Sequence, residues 1–158
     1  MPPALRRLAL AAHVAFSVGW LGAVAAYLAP AIALVRGHEV EAARASMELI
    51  GWYVIVPLSL AALATGLVQS LGTPWGLFRY YWVAAKFVLT VGAVTILLLH
   101  MPAVSRLARG ELHAPPVPFL MHAAGGLAVL LATTALSIFK PWGKTPYGRR
   151  RLPERSAG

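Results

Sequence analysis

An all-α bundle of four transmembrane helices, with both termini cytoplasmic, is predicted by three features of this 158-residue chain. It is 59% hydrophobic and 12% charged, where a soluble domain carries about 25% charged residues. Its apolar residues fall into four runs, at about 5–34, 49–71, 81–101 and 117–139, each long enough for the roughly 20 residues a bilayer-spanning helix needs. Its charges are distributed unequally between the two sets of connecting segments. Residues 1–140 form the bundle in this reading, and 141–158 a basic cytoplasmic tail. No cysteine is present, which excludes disulfides, thiolate metal sites and iron–sulfur clusters. The apolar stretch after Arg7 runs well past a signal-peptide core of about 7–15 residues, so it reads as a spanning helix.

The formal net charge is +9, and its placement argues for a membrane protein rather than a nucleic-acid binder. With four spans, one side collects Arg6, Arg7, Arg79, Lys86, Lys140, Lys144, Arg149, Arg150, Arg151 and Arg155 against Glu154 alone. On the other side, Arg36, Arg44, Arg106 and Arg109 are balanced by Glu39, Glu41, Glu48 and Glu111. The positive-inside rule therefore puts both termini in the cytoplasm, for a multi-pass protein of the cell membrane. The expected partner of the tail is the anionic headgroup layer of the bilayer.

Segment one, LRRLALAAHVAFSVGWLGAVAAYLAPAIAL, is longer than a bilayer requires and is expected to tilt or protrude. His13, Ser17, Trp20 and Tyr27 share one helix face. Gly19, Gly22 and Ala23 let a neighbouring helix approach closely. The following stretch, VRGHEVEAARASME, is short and charged and suits an amphipathic turn on the outer surface, with His38 solvated. Segment two carries Pro57 in its interior. Proline removes a helical hydrogen bond and frees the Tyr53 carbonyl, so a kink is expected there.

Gly72 and Pro74 then break the chain. Trp75, Phe78, Arg79, Tyr80, Tyr81 and Trp82 suit a membrane–water boundary. Segment three contains Lys86 and His100, fourteen residues apart, which return to nearly one helix face about 21 Å apart along the axis. Ionisable groups in a spanning helix normally turn inward and mark function. The outer loop PAVSRLARGELHAPPVP reads as irregular, with His113 solvated. In segment four, His122 is followed at i+3 and i+4 by Gly125 and Gly126, with Val129 and Thr133 continuing the face. Glycine disfavours a helix by about 1 kcal/mol relative to alanine. Something close or flat should pass there, either a neighbouring helix or a porphyrin held by His122.

Depth separates the polar groups into an inner set, His13 and Lys86, and an outer set, His100 and His122. Imidazole–metal bonds are about 2 Å long, so His13 and His100 cannot share one ion across about 20 Å. All five acids are glutamates in loops or tail, leaving histidine as the main ligand type, which suits heme iron or copper. Heme b fits the outer pair, with His122 and His100 as ligands, or one axial and the other beside it, and Arg106 or Arg109 near the propionates. Copper fits the cluster of Met101, Met121, His100 and His122.

WLGAV, IGWYVIVPLSLAALATGLVQSLGTPWGLFRYYWVAAKFVLT, LLLHMP, HAAGG and KPWGKTPYGRR together resemble a family of actinobacterial four-helix membrane proteins without an assigned activity. The chain also resembles HemJ-type protoporphyrinogen oxidases. The matching residues are His13 ahead of Ser17, Trp20 and Gly22, then Trp82 and Lys86, and Lys140 with Pro141. That resemblance implies roles for His13 and Lys86 in heme binding or catalysis. The threonine–glycine turn and the lysine at the start of helix three are similar to the membrane domain of CopD-type copper-resistance proteins. The expectation is a b-type heme protein in electron transfer or porphyrin redox chemistry, with a redox partner or quinone and the option of homo-oligomers. Its rivals are a copper-handling protein and a ligand-free structural or assembly subunit. His13, His100 and His122 are the candidate metal ligands; His13, His100, Lys86, His122, Gly125 and Gly126 are the candidate cofactor contacts.

Overall fold

The computed structural model describes residues 2–72, 79–139, 143, 145 and 146. Five α-helices build four rods: α1 (Pro3–Val35), α2 (Val40–Ile50) running through a π-helical turn (Gly51–Ile55) into α3 (Val56–Gly72), α4 (Tyr81–Ala108) and α5 (Val117–Phe139). All four rods are long and apolar enough to cross a membrane. Each packs on two neighbours: α1 on the α2–α3 rod and on α5, and α4 on the same two. The even count returns both termini to one end, called the inner end below. Most of the basic tail, the aromatic residues Trp75 and Phe78, and the Lys140–Pro141 pair lie outside the described residues.

The second rod begins earlier than its hydropathy indicates. The stretch expected as a surface turn is helical from Val40, and only Arg36, Gly37, His38 and Glu39 make the connection. Burial explains the extension, because Ala43 and Met47 are enclosed, Met47 fully so. Buried residues then recur at Ala43, Met47, Gly51, Ile55 and Ser59. Four-residue spacing drifts by about 40° per step on an ideal α-helix. The wider π turn, in which the Val56 amide donates to the Gly51 carbonyl, takes back part of that drift and keeps the stripe inward. It sits just before Pro57, whose missing N–H makes the irregular turn easy to accommodate.

Helix α4 also overruns its expected end at Met101, passing through Pro102 to Ala108. Met101, Val104 and Leu107, at i, i+3 and i+6, are each almost wholly buried, so packing carries the helix past the proline. Trp52 Nε1 donates to Ser105 Oγ at 2.8 Å and ties the second rod to this extension.

The core is concentrated at the outer end. Buried residues on α1 begin at Trp20 and on α4 at Val94. Helix α4 has none before Val94. Toward that end the rods enclose a cavity.

Candidate functional site

The cavity is about 490 Å³ and is walled by α1, α3, α4 and α5, within the roughly 300–1,000 Å³ range of small-molecule sites. Trp20, Leu130 and Thr133 line it and are themselves buried, so they form its boundary with the core. The rest of its polar lining comes from His13 and Ser17 on α1, Gln69 and Ser70 on α3, Lys86 and Thr90 on α4, and Thr134 and Ser137 on α5.

His13 is fixed by three consecutive features of α3. Its Nδ1 lies 3.1 Å from the Ala62 carbonyl and 3.1 Å from Thr65 Oγ1. The Thr65 hydroxyl spends its own hydrogen on the Ala61 carbonyl at 2.6 Å, so it accepts from the ring. With two acceptors at Nδ1, that nitrogen carries the proton and Nε2 keeps its lone pair. Gly66 makes room for the ring edge, since a Cβ there would stand 3.0 Å from His13 Cε1. The imidazole is thus oriented by backbone and hydroxyl, in the manner of ligating histidines.

Lys86 reaches the same cavity from α4. Its Nζ donates to Ser137 Oγ, whose own hydrogen goes to the Thr133 carbonyl at 2.9 Å. The ammonium also stands 5.9 Å from the centre of the Trp82 ring, within the range of a cation–π contact. Among the described residues, no acidic side chain lines the cavity. A cation held only by a hydroxyl and an aromatic face leaves unspent attraction for an anionic group.

The structure brings His100 and His122 together as well, in a different arrangement from the expected sandwich. Their rings stack with centroids 4.1 Å apart and planes 13° from parallel. Axial ligands on opposite faces of one iron hold their nitrogens about 4 Å apart with the rings pointing away from each other, given bonds of about 2 Å. A face-to-face stack at 4.1 Å leaves no gap for a porphyrin plane. In this arrangement the two imidazoles touch each other directly. His122 is exposed, and its Nδ1 donates to the Pro118 carbonyl at 2.8 Å. His100 Nε2 is buried without a partner, and its ring also meets Phe119 at 5.1 Å.

The glycines beside His122 divide. A Cβ on Gly126 would meet only Val24 of α1, at 4.0 Å, so this glycine serves helix packing, whereas Gly125 faces open space. Met101 is 1% exposed and packs against Gly51, while Met121 is 64% exposed on the outside of the bundle. Arg109 forms an exposed pair with Glu111, with Nε to Oε1 at 2.7 Å and Nη2 to Oε2 at 3.2 Å. The pairing holds the Glu111 carboxyl below its ordinary pKa and raises that of Arg109. His38 and His113 are exposed. Among the described residues, no group of three or more His, Cys, Asp or Glu side chains is placed to hold a metal ion.

Sequence reasoning found His13, Ser17 and Lys86 but missed Thr65 and Ser137. Hydroxyls in a spanning helix usually satisfy themselves on their own backbone, and only the structure shows which also receive a partner from another helix. Compared with known proteins, the chain matches no family model, no curated protein and no solved structure. The resemblances described above rest on their residues alone.

Proposed function

We propose that this is a b-type heme-binding protein of the cytoplasmic membrane, with the inner cavity as its site. One observation carries the reading: an imidazole with its Nε2 lone pair unspent lines the same cavity as a lysine that has no carboxylate partner among the described residues. His13 would hold the iron, and Lys86 with Ser137 would receive a propionate. When bound, the heme supplies a one-electron couple, which suits electron transfer to a quinone or another redox partner, or porphyrin redox chemistry. The chain's own contribution is to hold the His13 tautomer, to balance the anionic edge of the ring, and to keep water away with Trp20, Leu130 and Phe87.

Copper handling has less geometric support, because Met101 is committed to packing against Gly51. The test is a hemin titration of detergent-purified protein followed by its Soret band. His13→Ala is expected to abolish the Soret band of bound heme, and His122→Ala to leave it intact. A wild-type sample that takes up no hemin ends this reading.

A further inference from the structure

The cavity has one flank unlike the others. On α3 and α4 its lining residues are buried or half-buried, but on α1 Leu10, Val14 and Val18 are more than half exposed while lining it, and Thr134 of α5 is exposed as well. These four residues belong to α1 and α5, two rods that pack on each other. Toward the outer end the seam is tight, with Val24 against Gly126. Toward the inner end, Leu10, Val14 and Val18 line the cavity while staying exposed, and with Thr134 they form an uncharged flank. A water-facing mouth would carry polar residues, whereas a gap between spanning helices lined by leucine and valine faces acyl chains.

We infer that this gap is a side door to the bilayer, and that the cavity takes its ligand from the lipid phase as a membrane-dissolved acidic amphiphile. The head of such a molecule, a carboxylate, finds Lys86 and the hydroxyls inside. Its apolar body stays between α1 and α5 and keeps contact with lipid, so neither end is stranded in the wrong solvent. Among the described residues the lining holds no acid and the exposed flank no charge, which the same requirement explains. The inference rests on reading the cavity as a ligand site, and it restricts that ligand to one that reaches the protein without crossing water.

The chain has no cysteine, so a single thiol can report from inside the cavity. Thr90→Cys labelled with bimane is reconstituted in vesicles and exposed to nitroxide-labelled stearic acid in the bilayer or to iodide in the water. Stearate is expected to quench it and iodide to do so only weakly. Val18→Trp or Val14→Trp, each at a lipid-exposed position, should remove most of the stearate quenching. Leu99→Trp, at a 75% exposed site far toward the outer end of α4, should not. Quenching by iodide without stearate, or stearate quenching untouched by both tryptophans, overturns the inference. Hemin binding measured on the same samples separates the two readings: stearate access without hemin binding ends the heme proposal alone, and hemin binding with access only from water ends the side door alone.

Discussion

Replacing Gly66 by alanine tests the seat of His13 most directly. The new Cβ would lie 3.0 Å from Cε1 and 3.5 Å from Nδ1 of the imidazole, where carbon atoms rest at about 3.5–4.0 Å. The ring must therefore retreat from α3 by about 0.5 Å. Both acceptors of Nδ1 are on α3, each at 3.1 Å, so the retreat stretches both contacts toward the limit at which a hydrogen bond is lost, near 3.5 Å. Each bond contributes about 1 kcal/mol, while alanine favours the helix by about 1 kcal/mol over glycine. The net cost to the ligand-free fold is then only about 1 kcal/mol. The effect on ligand binding is larger in proportion, because an imidazole free to turn presents Nε2 to the cavity only part of the time. Hemin affinity is expected to fall about tenfold, equivalent to about 1.4 kcal/mol. A thermal melt in detergent and a Soret titration measure the two quantities on one sample. A variant that melts higher than wild type and binds hemin unchanged would refute the argument.

Lys86→Met should raise the melting temperature of the ligand-free protein, because an unpaired cation between helices is costly, and should weaken hemin binding at least about tenfold through loss of a charge-assisted bond. Gly51→Ala places a Cβ 2.5 Å from Met101 Cε; overpacking there should cost about 1–3 kcal/mol, and the same substitution should cost less in a Met101→Ala background, a coupling the melts of the four variants measure. Trp52→Phe removes the bond to Ser105 and should cost about 0.6 kcal/mol, the average for interhelical bonds in a membrane protein. Glu111, paired with Arg109, should titrate below the usual carboxylate range by NMR and move back up in Arg109→Gln. Since its folded pKa is depressed, the pair's contribution is present above the ordinary carboxylate pKa and disappears as pH falls through the lowered one.

The four rods were legible because bilayer crossing imposes a length and a composition that single runs of sequence display. Their ends were not. Helix α2 and the last turns of α4 are polar enough to read as loops, and only the burial of Met47, Val104 and Leu107 against other rods makes them helical. The inner pair was legible for a related reason: His13 and Lys86 are costly in a spanning segment, and their depths coincide. Thr65 and Ser137, which orient them, carry no signal, since a hydroxyl in an apolar helix looks the same whether it serves its own backbone or a neighbour. The outer pair was legible as a contact but not in its ring arrangement. Depth brings His100 and His122 to one level, but a stack and a sandwich differ only in side-chain torsions that spacing does not encode.

That difference decides where chemistry can sit. At the outer end the rods close on fully buried Met47, Met101, Val104 and Leu107, and a close-packed interior has no room for a guest. At the inner end α1 before Trp20 and α4 before Val94 hold half-buried but no fully buried residues, although these segments are as apolar as the rest. Packing is what drives helices together in lipid, so rods that leave a cavity between them forgo contacts unless something fills it. Lipid chains satisfy the aliphatic rim, but they offer nothing to an ammonium, an imidazole lone pair and several hydroxyls. An occupant that meets both demands has an apolar body and an anionic, iron-bearing or hydrogen-bonding head. If the ligand-free protein is as resistant to heat as the loaded one, no such occupant completes the fold; a melting temperature that climbs with hemin concentration is the expected result.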